Sequence, residues 1–397
     1  MDLTERIKKV GPSPTLALDA KTKALQASGV DVVNFAAGEP DFNTPEHIKE
    51  AAIRAVKENF TRYTAAGGIQ ELKEAVCAKF RRDNGLDYTP EEVVISCGGK
   101  HTLYNLAQVL FSQGDQVVVP APYWVSYPPI ITLAGAEPVI LPATQESGFK
   151  ISPQDLDGAI TPRTKAVIIN SPSNPTGAVY TRKDLEGLAE VVLRHNLLVI
   201  SDDIYEKIIF DGLEFCNLAN LGPELKRRTI IAHGVAKTYA MTGWRIGFLA
   251  APKEVASAVT KLQSQSTSNP CSIAQKAALA ALTGPEDSIR EMVAAFDERR
   301  RYLVAELNRM AGITCFKPGG AFYVFPDFSS YYGKQHAQSR LRGSDDLAAY
   351  LLEEGRTAVV PGSGFGEEAC LRFSYAASME NIQRGLSRIA EALNKLA

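Results

Sequence analysis

Residues 236–247 read AKTYAMTGWRIG, a segment that sets Lys237 and Arg245 among small, aromatic and apolar neighbours. A lysine with no adjacent carboxylate, packed against apolar groups, is costly to keep charged, so burial lowers its pKa and leaves a nucleophilic amine. The same segment contains Thr242-Gly243, which would equally suit a surface turn. Other chemistry-bearing residues stand upstream: Gly98-Gly99-Lys100 ahead of HTLYNLAQVLF, Trp124 in APYW, Asn174 in NSPSNPTG, and Asp202, Asp203 and Tyr205 in SDDIY.

A phosphate-bearing aromatic aldehyde would give each of these a task. A glycine turn opening a helix, Gly98, Gly99 and Lys100, presents free N–H groups and the positive end of the helix dipole to a phosphate. Arg245 can add a bidentate, permanently charged contact to the same group. Trp124 offers a flat surface for a pyridine ring. Asp202 could hold a protonated ring nitrogen, while Asn174 and Tyr205 could hydrogen-bond a phenolic oxygen. Lys237 would supply the amine for a Schiff base. Pyridoxal phosphate needs this set of donors. Singly, each has a plainer use: Trp124 in a core, Asn174 in a proline turn, either aspartate as a helix cap. The reading rests on their agreement in order, position and chemistry. The GSGFG run at 362–366 lacks dinucleotide-binding spacing.

The elements that must position these residues are visible as apolar runs: VVIS (93–96), QVVVP (116–120), EPVILP (137–142), KAVIIN (165–170), LLVIS (197–201), RTIIAH (228–233) and IGFLAA (246–251). Runs apolar on both faces and separated by helical patterns predict an α/β fold with a mostly parallel seven-stranded sheet covered on both sides. Ligands in such sheets collect beyond the carboxyl ends of the strands, where CGGK, APYW, NSPSNPTG, SDDIY and HGVAK stand. From about residue 285 the character changes to a charged helix, SIREMVAAFDERRRYLVAELNRM, then GGAFYVFPDF and a last amphipathic helix. We expect a large domain over 46–285 and a smaller α+β domain from both chain ends, 1–45 and 286–397.

Composition excludes several functions. Hydrophobic residues make up 45% and charged residues 22% of 397, and the net charge of -2 gives no basic surface for nucleic acid. Apolar runs fall short of membrane-spanning length, and MDLTERIKKVGPSP has no signal-peptide core, so a cytoplasmic location is expected. Six scattered cysteines and five scattered histidines show no metal-ligand spacing, and no metal is expected.

Taken together, AAGEPDFNTP (36–45), YTAAGGIQELKEA (63–75), APYWVSY (121–127), NSPSNPTGAVY (170–180), SDDIYE (201–206), AKTYAMTGWRIG (236–247), GGAFYVF (319–325), VVPGSGFG (359–366) and LRFSYA (371–376) resemble the class I, fold-type I aminotransferases, and most of all the bacterial aspartate aminotransferases. The resemblance implies that Lys237 carries the cofactor linkage and shuttles the α-proton, and that Asp202 pairs with the pyridine nitrogen, Asp203 being the alternative. It further implies that Arg372 binds the substrate α-carboxylate with Gly38 and Asn174 beside it. Tyr63 would reach the cofactor phosphate of the other subunit in a homodimer with shared active sites. The implied reaction moves an amino group from L-aspartate to 2-oxoglutarate with ping-pong kinetics, or else uses prephenate or aromatic keto acids as major acceptors. One departure is Ala236 before Lys237, where many relatives carry serine. A dicarboxylate needs a second cation, and QSQSTSNP (263–270) contains none. Lys100 is the remaining candidate, with Ser13 and Thr15 as hydroxyl donors; the alternative is that Lys100 only neutralises the phosphate.

Overall fold

The computed structural model describes residues 2–12, 14–336 and 339–397; Ser13 lies outside the described residues. Seven strands form the main sheet: β1 (Val93–Ser96), β2 (Gln116–Ala121), β3 (Glu137–Pro142), β4 (Thr164–Asn170), β5 (Leu198–Asp202), β6 (Thr229–Gly234) and β7 (Gly247–Ala250). Their spatial order is β1-β7-β6-β5-β4-β2-β3. The expected mostly parallel sheet is present, and β7 is the exception, antiparallel to both β1 and β6. β1, β6 and β7 are buried along their whole length, as their unbroken apolar runs require. Edge strand β3 mixes partly exposed and exposed positions and carries Pro138 and Pro142, residues that an edge tolerates.

The direction of β7 has a consequence for function. Because β7 runs against its neighbours, its amino end lies at the same rim of the sheet as the carboxyl ends of β1, β2, β4, β5 and β6. Arg245, two residues ahead of β7, therefore joins the residues that follow the parallel strands. Arg245 reaches that position in a left-handed conformation with φ 55°, which costs a non-glycine residue about 1–2 kcal/mol.

A second core gathers both ends of the chain. Val33–Asn34 pairs in parallel with Thr357–Ala358, and a three-stranded antiparallel sheet places Leu371–Ser374 between Val360–Pro361 and Tyr323–Val324. Phe35, Phe296, Phe322, Phe328, Phe373 and Tyr375 are fully buried there, packed by the helices Asp287–Arg309 and Met379–Leu393. Leu371–Ser374 is wholly buried, so Arg372 enters the interior with it. Among the described residues no helix is long and apolar enough to cross a membrane.

Candidate active site

One cavity of about 430 Å³ opens at the rim of the sheet, against the smaller core. Its size suits a cofactor-sized ligand. Gly38, Gly99, Lys100, Trp124, Asn174, Asp202, Tyr205, Lys237, Arg245, Arg372 and Thr15 all line it. Segments separated by hundreds of residues are thus brought together, as the strand-end argument anticipates. Tyr63 is outside this cavity and 92% exposed.

At one end stands the turn after β1. Gly98 adopts φ 90° and precedes the helix Gly99–Leu110, whose N-terminus no side chain caps. The first N–H groups of such a helix have no intrahelical partner and are available to an anion. A Cβ on Gly98 would lie 2.4 Å from Nη2 of Arg245, and one on Gly247 would lie 2.4 Å from the Gly98 carbonyl carbon and the Gly99 nitrogen. Only glycine allows this backbone-to-backbone approach, which lays the guanidinium beside the turn. One Arg245 N–H is held by the Thr242 carbonyl at 3.0 Å. Donors and positive charge at this end fit a phosphate.

The middle of the cavity is polar on one side and aromatic on the other. Asp202, 6% exposed, accepts from the Tyr127 hydroxyl at 2.7 Å and from the Ile204 N–H at 3.4 Å. Burial raises its pKa, and these two bonds oppose the rise. Asp203 does not line the cavity: past the end of β5 it turns the other way, accepting from Ser201 at 2.6 Å and Asn217 at 2.7 Å, and burial lifts its pKa to about 7. Of the two aspartates, Asp202 is the one that lines the cavity. Register pairs Asn170 with Asp202, and the Asn170 side chain bonds both the Asp202 carbonyl and the Asn174 N–H at 2.9 Å. Trp124 packs edge-on to Tyr127, and the Lys100 ammonium sits 5.1 Å from the Trp124 ring centre. Burial, helped by Arg245, lowers the Lys100 pKa.

Lys237 follows β6 and donates to the Gly38 carbonyl. Burial pushes its amine down to about 8; Arg372 and Arg245 act in the same direction, while Glu39 and Asp202 oppose it. At the far end Arg372 is 2% exposed. It donates to Asn174 Oδ1 at 3.0 Å and the Ala36 carbonyl at 2.8 Å, and its guanidinium lies against Tyr323 and Phe365, 4.6 and 5.1 Å from the ring centres. Its Nε is buried without a hydrogen-bond partner among the described residues, an unmet donor suited to a carboxylate. Tyr205 and Tyr323 share a hydrogen bond at 2.9 Å. The residues present therefore fit a phosphate-bearing pyridine aldehyde: an anion cradle, a carboxylate, hydroxyl and amide groups, and an amine with a lowered pKa.

Sequence reasoning missed Tyr127, His233, Tyr323, Glu39 and Thr242, all in the cavity wall. Tyr127 and Tyr323 stand inside the quoted APYWVSY and GGAFYVF segments, but nothing in their local pattern assigns the hydroxyl a partner. Ala236 is buried in the wall and brings no hydroxyl.

A family model described as aminotransferase class I and II matches residues 30–389. An aspartate aminotransferase of Geobacillus stearothermophilus is 50% identical over 389 residues, 98% of each chain. An aspartate/prephenate aminotransferase of Nitrosomonas europaea is 47% identical, over 99% of this chain and 100% of its own. The solved structure of the aspartate aminotransferase from Thermus thermophilus with maleate superposes with a TM-score of 0.92 at 43% identity, covering 99% of this chain and 100% of that one.

The lowered pKa is directly measurable. In the full chain without added cofactor, the Lys237 amine should titrate near 8, charged below that pH and neutral above it. Carbon NMR after reductive methylation, with Lys237→Ala to assign the signal, gives the midpoint. A value near the roughly 10.4 of an exposed lysine would mean that water reaches the amine freely.

Proposed function

We propose, for a chain that belongs to the class I and II aminotransferases, that it moves the amino group of L-aspartate to 2-oxoglutarate with pyridoxal 5'-phosphate as cofactor. Oxaloacetate and L-glutamate are the products. The observation that carries this reading is one cavity with Lys237 between two cationic ends, the Gly98 turn with Arg245 and the buried Arg372. A cytoplasmic location belongs to the same reading.

In it the backbone N–H groups of the Gly98-Gly99-Lys100 turn and Arg245 would hold the phosphate, Trp124 would cover the ring, Asp202 would hold the ring nitrogen, and Asn174 and Tyr205 would hold the ring oxygen. When bound, the cofactor supplies an electron sink for the pair left by α-proton removal. Lys237 Nζ takes that proton and returns it, and an amine titrating near 8 is suited to both tasks. Arg372, with Gly38 and Asn174 beside it, orients the substrate by its α-carboxylate. Its contacts with Tyr323 and Phe365 help hold the guanidinium, which is 2% exposed, in place and keep water from it. The wall closed by Leu103, Val125 and Ile204 excludes water further. Two successive half-reactions at one site make the kinetics ping-pong.

Aspartate is favoured because Lys100 stands in the cavity wall as a cation besides Arg372, with Thr15 in the same wall. The maleate in the Thermus relative is likewise a dicarboxylate. The second reading, prephenate as a major acceptor, is supported by the Nitrosomonas relative's name. Specificity constants for aspartate, glutamate, phenylalanine and tyrosine against 2-oxoglutarate and prephenate separate the two. In Lys100→Ser the constants for aspartate and glutamate should drop roughly ten- to a hundredfold, the loss of a charge-assisted contact worth about 1.5–3 kcal/mol, with phenylalanine nearly unchanged. Equal losses for all substrates, with weaker cofactor retention, would assign Lys100 to the phosphate.

The exposed Tyr63 supports a symmetric homodimer in which each tyrosine completes the partner's phosphate site. Mixing inactive Tyr63→Ala and Lys237→Ala proteins should restore part of the activity, since each heterodimer then contains one intact site. Proven subunit exchange without restoration would contradict shared sites.

A further inference from the structure

Glu39 and Thr242 line the cavity with Lys237, and the reading above gives neither a role. Thr242 Oγ1 donates to Glu39 Oε2 at 2.7 Å, while the Thr242 carbonyl holds Arg245. The residue before Glu39 supplies the carbonyl that accepts from Lys237. Farther along, Thr44 Oγ1 donates to the Ala240 carbonyl at 2.7 Å and accepts from Trp244 Nε1 at 3.0 Å. The strip 38–44 is therefore laced to residues 237–244 on both sides of the Glu39 contact. A lace of this kind fixes where a carboxylate at position 39 stands relative to the amine.

The charges facing Lys237 come from every side of the cavity. Arg245 from the turn before β7 and Arg372 from the smaller sheet are positive, as are Lys100 at the head of its helix and Lys23 on the helix Pro14–Ala27. Asp202 at the end of β5 and Glu39 on the strip are negative; Tyr127, Tyr205, Tyr323 and His233 supply the other titratable groups. Asp202 is already engaged by Tyr127, and its charge faces the ring nitrogen in the reading above. Glu39 is left as the carboxylate that answers the two arginines. After burial, it is the largest influence on the Lys237 amine, and it acts to retain the proton.

We propose that Glu39 is a positioning residue for Lys237: held by Thr242, its carboxylate offsets Arg245 and Arg372 and so keeps the α-proton on Lys237 Nζ between its removal from the substrate and its return. This rests on the reading of Lys237 as the proton carrier. In that step a C–H bond breaks at the substrate α-carbon and an N–H bond forms on Lys237, and the return reverses it. The effect is moderate, because Glu39 is open to solvent in the cavity mouth.

The test uses the holoenzyme without substrate, following the visible absorbance change that reports protonation at the Lys237 nitrogen. Glu39→Gln retains an acceptor for Thr242 and removes the charge; the midpoint should fall by roughly 0.2–0.7 unit. Glu39→Asp retains the charge and should bring the midpoint back toward that of the unmodified protein. An unchanged midpoint in Glu39→Gln, even with reduced activity, overturns the proposal, because a loosened strip would lower activity without moving the titration. An equal fall in Glu39→Asp overturns it as well. If Lys237→Ala keeps the pH-dependent band, the assignment of Lys237 has failed, and the two failures are told apart.

Discussion

Lys237, Arg245 and Arg372 face one cavity together with Lys100 and Lys23, and holding these cations there against their mutual repulsion is the constraint that the surrounding structure answers. Each answer is different. Arg372, the most deeply buried, takes a backbone carbonyl, an amide oxygen and two aromatic faces. Arg245 rests against a glycine turn and a carbonyl. Lys237 meets the constraint by giving up its proton more readily, which makes a buried amine chemically useful. The positive field left over is what an anionic cofactor and a carboxylate substrate would neutralise.

The backbone arranges these charges through few devices. An antiparallel β7 inside a parallel sheet sends Arg245 to the rim where the parallel strands end. Gly247 against Gly98-Gly99 lets that rim close to backbone contact. Arg372 arrives from a sheet built by the other part of the chain, and the strip 36–44 crosses between the two cores, bonded to Arg372 at Ala36 and to the Lys237 segment at Gly38, Glu39 and Thr44. A shift of one core against the other would therefore be felt by both ends of a bound substrate.

Much of the sheet was legible because strands buried on both faces have a plain signature: each of the seven apolar runs is a strand to within a residue or two. The direction of β7 was not, since an apolar run looks alike in either orientation and only its pairing with β1 and β6 sets it. The choice between Asp202 and Asp203 also stayed open in the sequence. The chain's turn at the end of β5 sends Asp203 to Ser201 and Asn217 and leaves Asp202 facing the cavity. Tyr323 and Glu39 acquire their meaning from Tyr205 and Thr242, each more than a hundred positions away in the chain, and Phe365 from the turn that brings it against Arg372; no local periodicity encodes that.

In the function proposed above, the amine of Lys237, and no other lysine in the cavity, bonds the cofactor. Borohydride reduction of the protein loaded with pyridoxal phosphate, followed by digestion and mass mapping, reads that bond itself. One modified residue is expected, Lys237, in the peptide that contains TYAMTGWR. Modification at Lys100 instead, or none after reduction of a visibly loaded protein, would contradict it.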